Sequence, residues 1–212
     1  MENTVMKVLV IASVLSPVAA FAQAGKTVPT TATYIMKEDI DKIGATEQSK
    51  STRDENVKVV GLGYENFAVG IVHRASTRTP APPAPAGGAA AQAQPCGRTM
   101  AALPPGGTPG GITHDLQTEG YIITSGGGTM FTDGYIVNGR HNAQDPAGGP
   151  NGPTCGGVAY AVKKVAVKVG DVVIVPPGVV HGWADIPDHV DYLSFRPSQN
   201  LQAGWVNPTI AK

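Results

Sequence analysis

Short apolar runs, some alternating with polar positions at a period of two and separated by Gly- and Pro-rich turns, predict strands and one short helix. Met36, Ile40 and Ile43 fall at helical spacing around 37–43, so an amphipathic helix is expected there. Ala32 to Met36 offers a short strand before it, and the charged stretch Glu47 to Glu55 reads as a loop. Val57–Leu62 and Asn66–Arg74 read as two strands. In the second, Phe67, Val69, Ile71 and His73 share one face. Further strands are expected at Gly120–Thr124, Thr129–Thr132 and Tyr135–Asn138, with hairpin turns at Ser125–Gly128 and at Asp133-Gly134. Val158–Val169 holds one or two strands. Asp171–Val175 is a buried-type strand stopped by Pro176-Pro177-Gly178, and Val190–Phe195 is the last clear one. There is no internal repeat and no long helix. The pattern predicts an all-β protein, an antiparallel sandwich or small barrel.

Composition adds two things to this picture. The 27 glycines and 18 prolines concentrate in Thr77–Gly111 and Gly139–Gly157, which read as insertions between strands, the first as a surface loop or a lid. Charge is sparse and balanced, with 16 Lys plus Arg against 16 Asp plus Glu, so a nucleic-acid partner is not indicated.

The first residues carry an address. Lys7 precedes the apolar run Val8–Leu15, and Ala20-Phe21-Ala22 is a small-x-small cleavage site, so 1–24 reads as a secretory signal peptide. The run is too short to span a bilayer, and no later stretch is long and apolar enough, so no membrane association is expected after cleavage. The expected destination is the periplasm or the exterior. In that compartment the two cysteines, Cys96 and Cys155, are expected to form a disulfide.

Two segments carry candidate chemistry. Gly106 to Gly126 contains His114 and Glu119, and Gly170 to Asp185 contains Pro176, Gly178 and His181. These resemble the two signature motifs of the cupin family, G-x5-H-x-H-x3,4-E-x6-G and G-x5-P-x-G-x2-H-x3-N. The second is matched at Gly170, Pro176, Gly178 and His181, with Asp185 in place of the final Asn. The first is matched at Gly106, His114, Glu119 and Gly126, with Ile112 in place of its first histidine.

The resemblance implies a jelly-roll barrel over 57–197, preceded by an extension at 25–56 and followed by a tail at 198–212. It brings His114, Glu119 and His181 together as ligands of a divalent transition metal. Two imidazoles and one carboxylate suit Fe, Mn, Ni or Zn, and ligand identity does not choose among them. Export weighs against Fe(II). Tyr121 and Trp183 are expected as pocket walls, with ordinary core packing as the alternative. His73 is a candidate catalytic acid/base group or a replacement for the ligand lost at Ile112, or it simply closes its strand. His141 and His189 read as surface residues.

The expected function is an exported metal-dependent enzyme acting on a small organic molecule by oxygenase, lyase or isomerase chemistry. The alternatives are a non-catalytic small-ligand-binding cupin and a structural one with a vestigial site, in which Glu119 would pair with Arg74 or Arg196. Because cupins often dimerise, a homodimer is the implied assembly.

Overall fold

The computed structural model describes residues 28–45, 52–79, 93–141, 151–199 and 204–211. The segment expected to be a signal peptide and residues 80–92 of the first expected insertion lie outside them. Among the described residues, the helix α1 (Lys37–Gly44) precedes eleven strands. These are β1 (Thr52–Gly61), β2 (Asn66–Ala75), β3 (Pro95–Cys96), β4 (Thr108–His114), β5 (Glu119–Thr132) and β6 (Tyr135–His141). β7 (Thr154–Tyr160), β8 (Lys163–Lys168), β9 (Val172–Val175), β10 (His181–Asp185) and β11 (His189–Ser198) follow.

All pairings between these strands are antiparallel. β1, β2, β11, the first half of β5, and β9 form one layer. The second half of β5, with β8, β10, β4, β7, β6 and β3, forms the other. Tyr121, Ile123, Val72, Val190 and Tyr192 from the first layer meet Met130 and Val167 from the second in one buried cluster. This is the antiparallel β-sandwich that the alternating pattern predicts.

The expected turn at Ser125–Gly128 is not one. β5 runs unbroken through it and passes from one layer to the other. Gly126, at φ 65°, makes the crossing possible: a Cβ there would come within 2.0 Å of the His189 carbonyl oxygen. A glycine run therefore serves as a strand corner. The dipeptide Asp133-Gly134, both with positive φ, does form the β5–β6 turn.

Other expectations are corrected at their edges. β1 begins at Thr52, inside the stretch read as a charged loop, because Asp54 and Asn56 turn inward to bind Arg196. Residues 32–36 are not a strand. β4 begins at Thr108 and β7 at Thr154, so both presumed insertions are shorter than their glycine content suggests. Val158–Val169 divides at Ala161, which has φ 55°, into β7 and β8. Part of the tail is ordered against β1: Val59 N–H donates to the Trp205 carbonyl and Asn207 N–H to that of Val57. Cys96 and Cys155 are bonded as expected, joining segments 59 residues apart.

Candidate metal centre

Three elements bring the cluster together. His114 ends β4, Glu119 opens β5 after a bend, and His181 opens β10 directly after the Pro176-Pro177-Gly178 turn. The turn is anchored to the first motif, since Gly178 N–H donates to the His114 carbonyl. One donor atom from each of His114, Glu119 and His181 lies within 4.8 Å of the others, and all three side chains are buried.

The hydrogen bonds define the tautomers. His114 Nδ1 lies 3.2 Å from the Asn151 carbonyl oxygen, and His181 Nδ1 lies 3.0 Å from that of Val179. A carbonyl only accepts, so each Nδ1 is the donor and each neutral ring directs the Nε2 lone pair elsewhere. Both Nε2 atoms point at the same oxygen, Glu119 Oε2, at 3.2 Å each. Two lone pairs directed at a carboxylate oxygen repel unless a cation or an extra proton lies among them. Metal-to-ligand bonds of about 2.0–2.2 Å place neighbouring donors about 3.0–3.5 Å apart, so the observed separations fit a metal.

The carboxylate is held on its other side by groups that the motifs do not contain. Arg196 Nε donates to Oε1 at 2.6 Å, and the Tyr121 hydroxyl donates to Oε2. Burial alone would raise the Glu119 carboxyl; the Arg196 guanidinium instead holds it well below the usual carboxylate range. Burial, reinforced by the Glu119 charge, pushes the Tyr121 phenol well above its usual value, so it remains a donor. Burial also opposes the Arg196 charge, but Asp54 at 2.6 Å together with Glu119 more than offsets this. The carboxylate is thus oriented before any ligand arrives.

Ile112 stands directly across from His181 in the β4–β10 register and two residues before His114. It therefore faces the same side as both histidines. An apolar side chain occupies the place of a fourth donor. Tyr121 continues the wall, with its ring centroid 6.4 Å from that of His181 and 4.5 Å from Tyr192. Trp183 packs on Tyr192 at 6.1 Å and against the core cluster.

His73 is not brought to this cluster. The buried face of β2 carries Ala68 and Val72, so His73 lies on the outer face with Phe67, Val69 and Ile71. There its Nδ1 donates to Asp191 Oδ1 at 2.6 Å. Asp185, the departure from the second motif, points outward and pairs with Arg78 at 2.8 Å. His189 is partly exposed and bonds Ser125 and Asp188, and His141 is half-exposed. Arg196 and Asp54 are the partners that sequence reading underweighted. The sequence offers Arg196 only as a partner of Glu119 in a metal-free site, and Asp54 lies in a stretch that reads as a loop.

No family model matches the chain, and no curated protein matches it. Solved structures similar to it include a recombinant oxalate oxidase in complex with glycolate, at 14% identity and TM-score 0.36, covering 75% of this chain and 57% of that one. An uncharacterized conserved protein with a double-stranded beta-helix domain from Klebsiella pneumoniae is 13% identical at TM-score 0.35, covering 81% and 95% of the two chains. A cupin protein from Bacteroides fragilis is 14% identical at TM-score 0.33, covering 78% and 94%. The chain thus spans just over half the length of the oxalate oxidase. The fold itself is a two-layer antiparallel sandwich in which both histidine-bearing segments converge on one interior cluster.

Proposed function

We propose that this chain is a metal-dependent enzyme acting on a small organic molecule, with His114, Glu119 and His181 as the ligands. The observation that carries the reading is the pair of Nε2 lone pairs directed at one carboxylate oxygen, each ring locked by a backbone carbonyl. The donor set fits Fe, Mn, Ni or Zn. When bound, such an ion supplies Lewis acidity toward a carbonyl or hydroxyl, or activates oxygen.

The chain's own residues do the rest. Arg196 fixes the plane of the Glu119 carboxylate. Tyr121 holds its proton on the phenol oxygen and donates it to Oε2. Ile112 withholds a fourth protein donor, which leaves room for a substrate atom. Tyr121 and Trp183 give the interior aromatic walls that suit an uncharged or weakly polar organic body. Substrate screening separates oxygenation, lyase chemistry and isomerisation.

The proposal includes export, supported by the residues 1–24 pattern and by the disulfide. It also includes a homodimer, supported by the uncovered apolar side chains of Val172 and Ile174 on β9. A second reading, a binding cupin without metal, is favoured by the Arg196–Glu119 ion pair, which already gives the buried carboxylate a counter-charge. Elemental analysis of protein purified from its expression compartment separates the two. Near-stoichiometric transition metal that is lost in His181→Ala supports the enzyme reading; no metal, even after reconstitution, rejects it.

A further inference from the structure

The outer face of the first layer holds a second cavity of about 580 Å³, roofed by α1 and unconnected with the metal cluster by any shared residue. That volume lies within the range of about 300–1,000 Å³ usual for small-molecule sites. Its floor is apolar: Ile71 and Leu193 are cross-strand partners, and Ile40 covers them from the helix.

One edge is polar and ordered by the strand register. Arg53, His73 and Asp191 stand directly opposite one another on β1, β2 and β11. The Asp191 carboxylate accepts from His73 Nδ1 at 2.6 Å, which leaves Nε2 of the neutral ring as an acceptor in a residue that lines the cavity. The neighbouring imidazole, His189, is already engaged with Ser125 and Asp188.

With Nε2 of His73 as an acceptor, Arg53 and Asp191 are the opposite charges of this edge, and they form no ion pair with each other among the described residues. Lys37 pairs with Asp41 at 2.5 Å, and Asp191 is taken up by His73. Arg53 has no carboxylate partner among the described residues; its Nη1 donates to the Gly44 carbonyl at 2.5 Å. The edge therefore offers one proton acceptor beside a guanidinium that has no carboxylate partner among the described residues.

We infer that this cavity is a second small-molecule site, for a phenol, whose hydroxyl donates to His73 Nε2 and whose ring lies on Ile71 and Leu193. An aliphatic alcohol would satisfy the imidazole but would not use Arg53. A phenol oxygen takes on negative charge as its proton is shared, and Arg53 stabilises that charge. A sugar would leave its hydroxyls unpaired on the apolar floor.

The test uses 4-nitrophenol, whose absorbance distinguishes phenol from phenolate. Titration of the full chain is expected to give saturable binding with the spectrum shifted toward phenolate, unchanged in the presence of a metal chelator. His73→Gln is expected to weaken binding by about tenfold or more and to remove the shift. Leu193→Ala is expected to weaken binding while keeping the shift. Near-UV circular dichroism checks that each variant is folded. Absence of saturable binding to the wild-type chain overturns the inference, as does unchanged binding and shift in His73→Gln. Loss of binding on chelation also overturns it, since the ligand would then belong to the metal cluster.

Discussion

Arg196 reaches the rear oxygen of Glu119 at 2.6 Å while the front oxygen of the same carboxylate faces two imidazoles. The guanidinium is 1% exposed and also binds Asp54 at 2.6 Å, so one buried cation serves two carboxylates. Removing it strips Glu119 of its guanidinium and leaves Asp54 only the more distant Arg74, at 3.9 Å. Arg196→Ala is expected to lose about 3–5 kcal/mol of stability, measured by urea unfolding. Arg196→Lys should recover only part of this, because a single ammonium cannot reproduce the fork.

Ile112 is placed to become a fourth ligand. It faces the same side as His114 and lies opposite His181. Ile112→His is expected to tighten metal binding by at least about tenfold, or about 1.4 kcal/mol, in a competition titration. Unchanged affinity would mean that the position does not reach the ion.

The pH dependence follows from Glu119. Its carboxyl is held below the ordinary range in the folded chain, chiefly by Arg196 working against the effect of burial. A depressed carboxyl contributes stability that is fully present above the unfolded value of about 4.3 and is lost as pH falls through the lower folded value. Stability is therefore expected to fall as pH drops below about 4.3. Glu119→Gln should flatten that part of the curve, measured by thermal melts across acidic buffers.

The Cys96–Cys155 bond closes a loop of 59 residues. By chain entropy such a link contributes about 4 kcal/mol. Replacing both cysteines by Ser is expected to lower stability by about 2–5 kcal/mol. Mass spectrometry under non-reducing conditions should find no free thiol in protein recovered from an oxidising compartment.

The motif residues were legible because a Gly- and Pro-bounded turn before a histidine is a local signal, as in Pro176 to His181. The two-residue period of the strand expected at Gly120–Thr124 puts Tyr121 and Ile123 on one face, and both are buried. What hid was non-local. The Gly126–Gly128 run carries the composition of a turn, and only its pairing with β8 and β11 shows it to be a strand corner. His73 shares its face with three apolar residues, which reads as interior until β2 is seen to have an apolar exterior as well. Asp54 sits in a charged stretch that reads as solvated, although its partner lies 142 residues away on β11.

The disulfide carries a consequence beyond stability. Cys155 is the cross-strand partner of Thr113, the residue immediately before His114. Its sulfur is therefore joined covalently to β3 on one side and by the ladder to a candidate ligand on the other. Reduction would slacken the sheet one residue from the metal cluster, so the thiol–disulfide state of the surroundings becomes an input to how firmly that histidine is held.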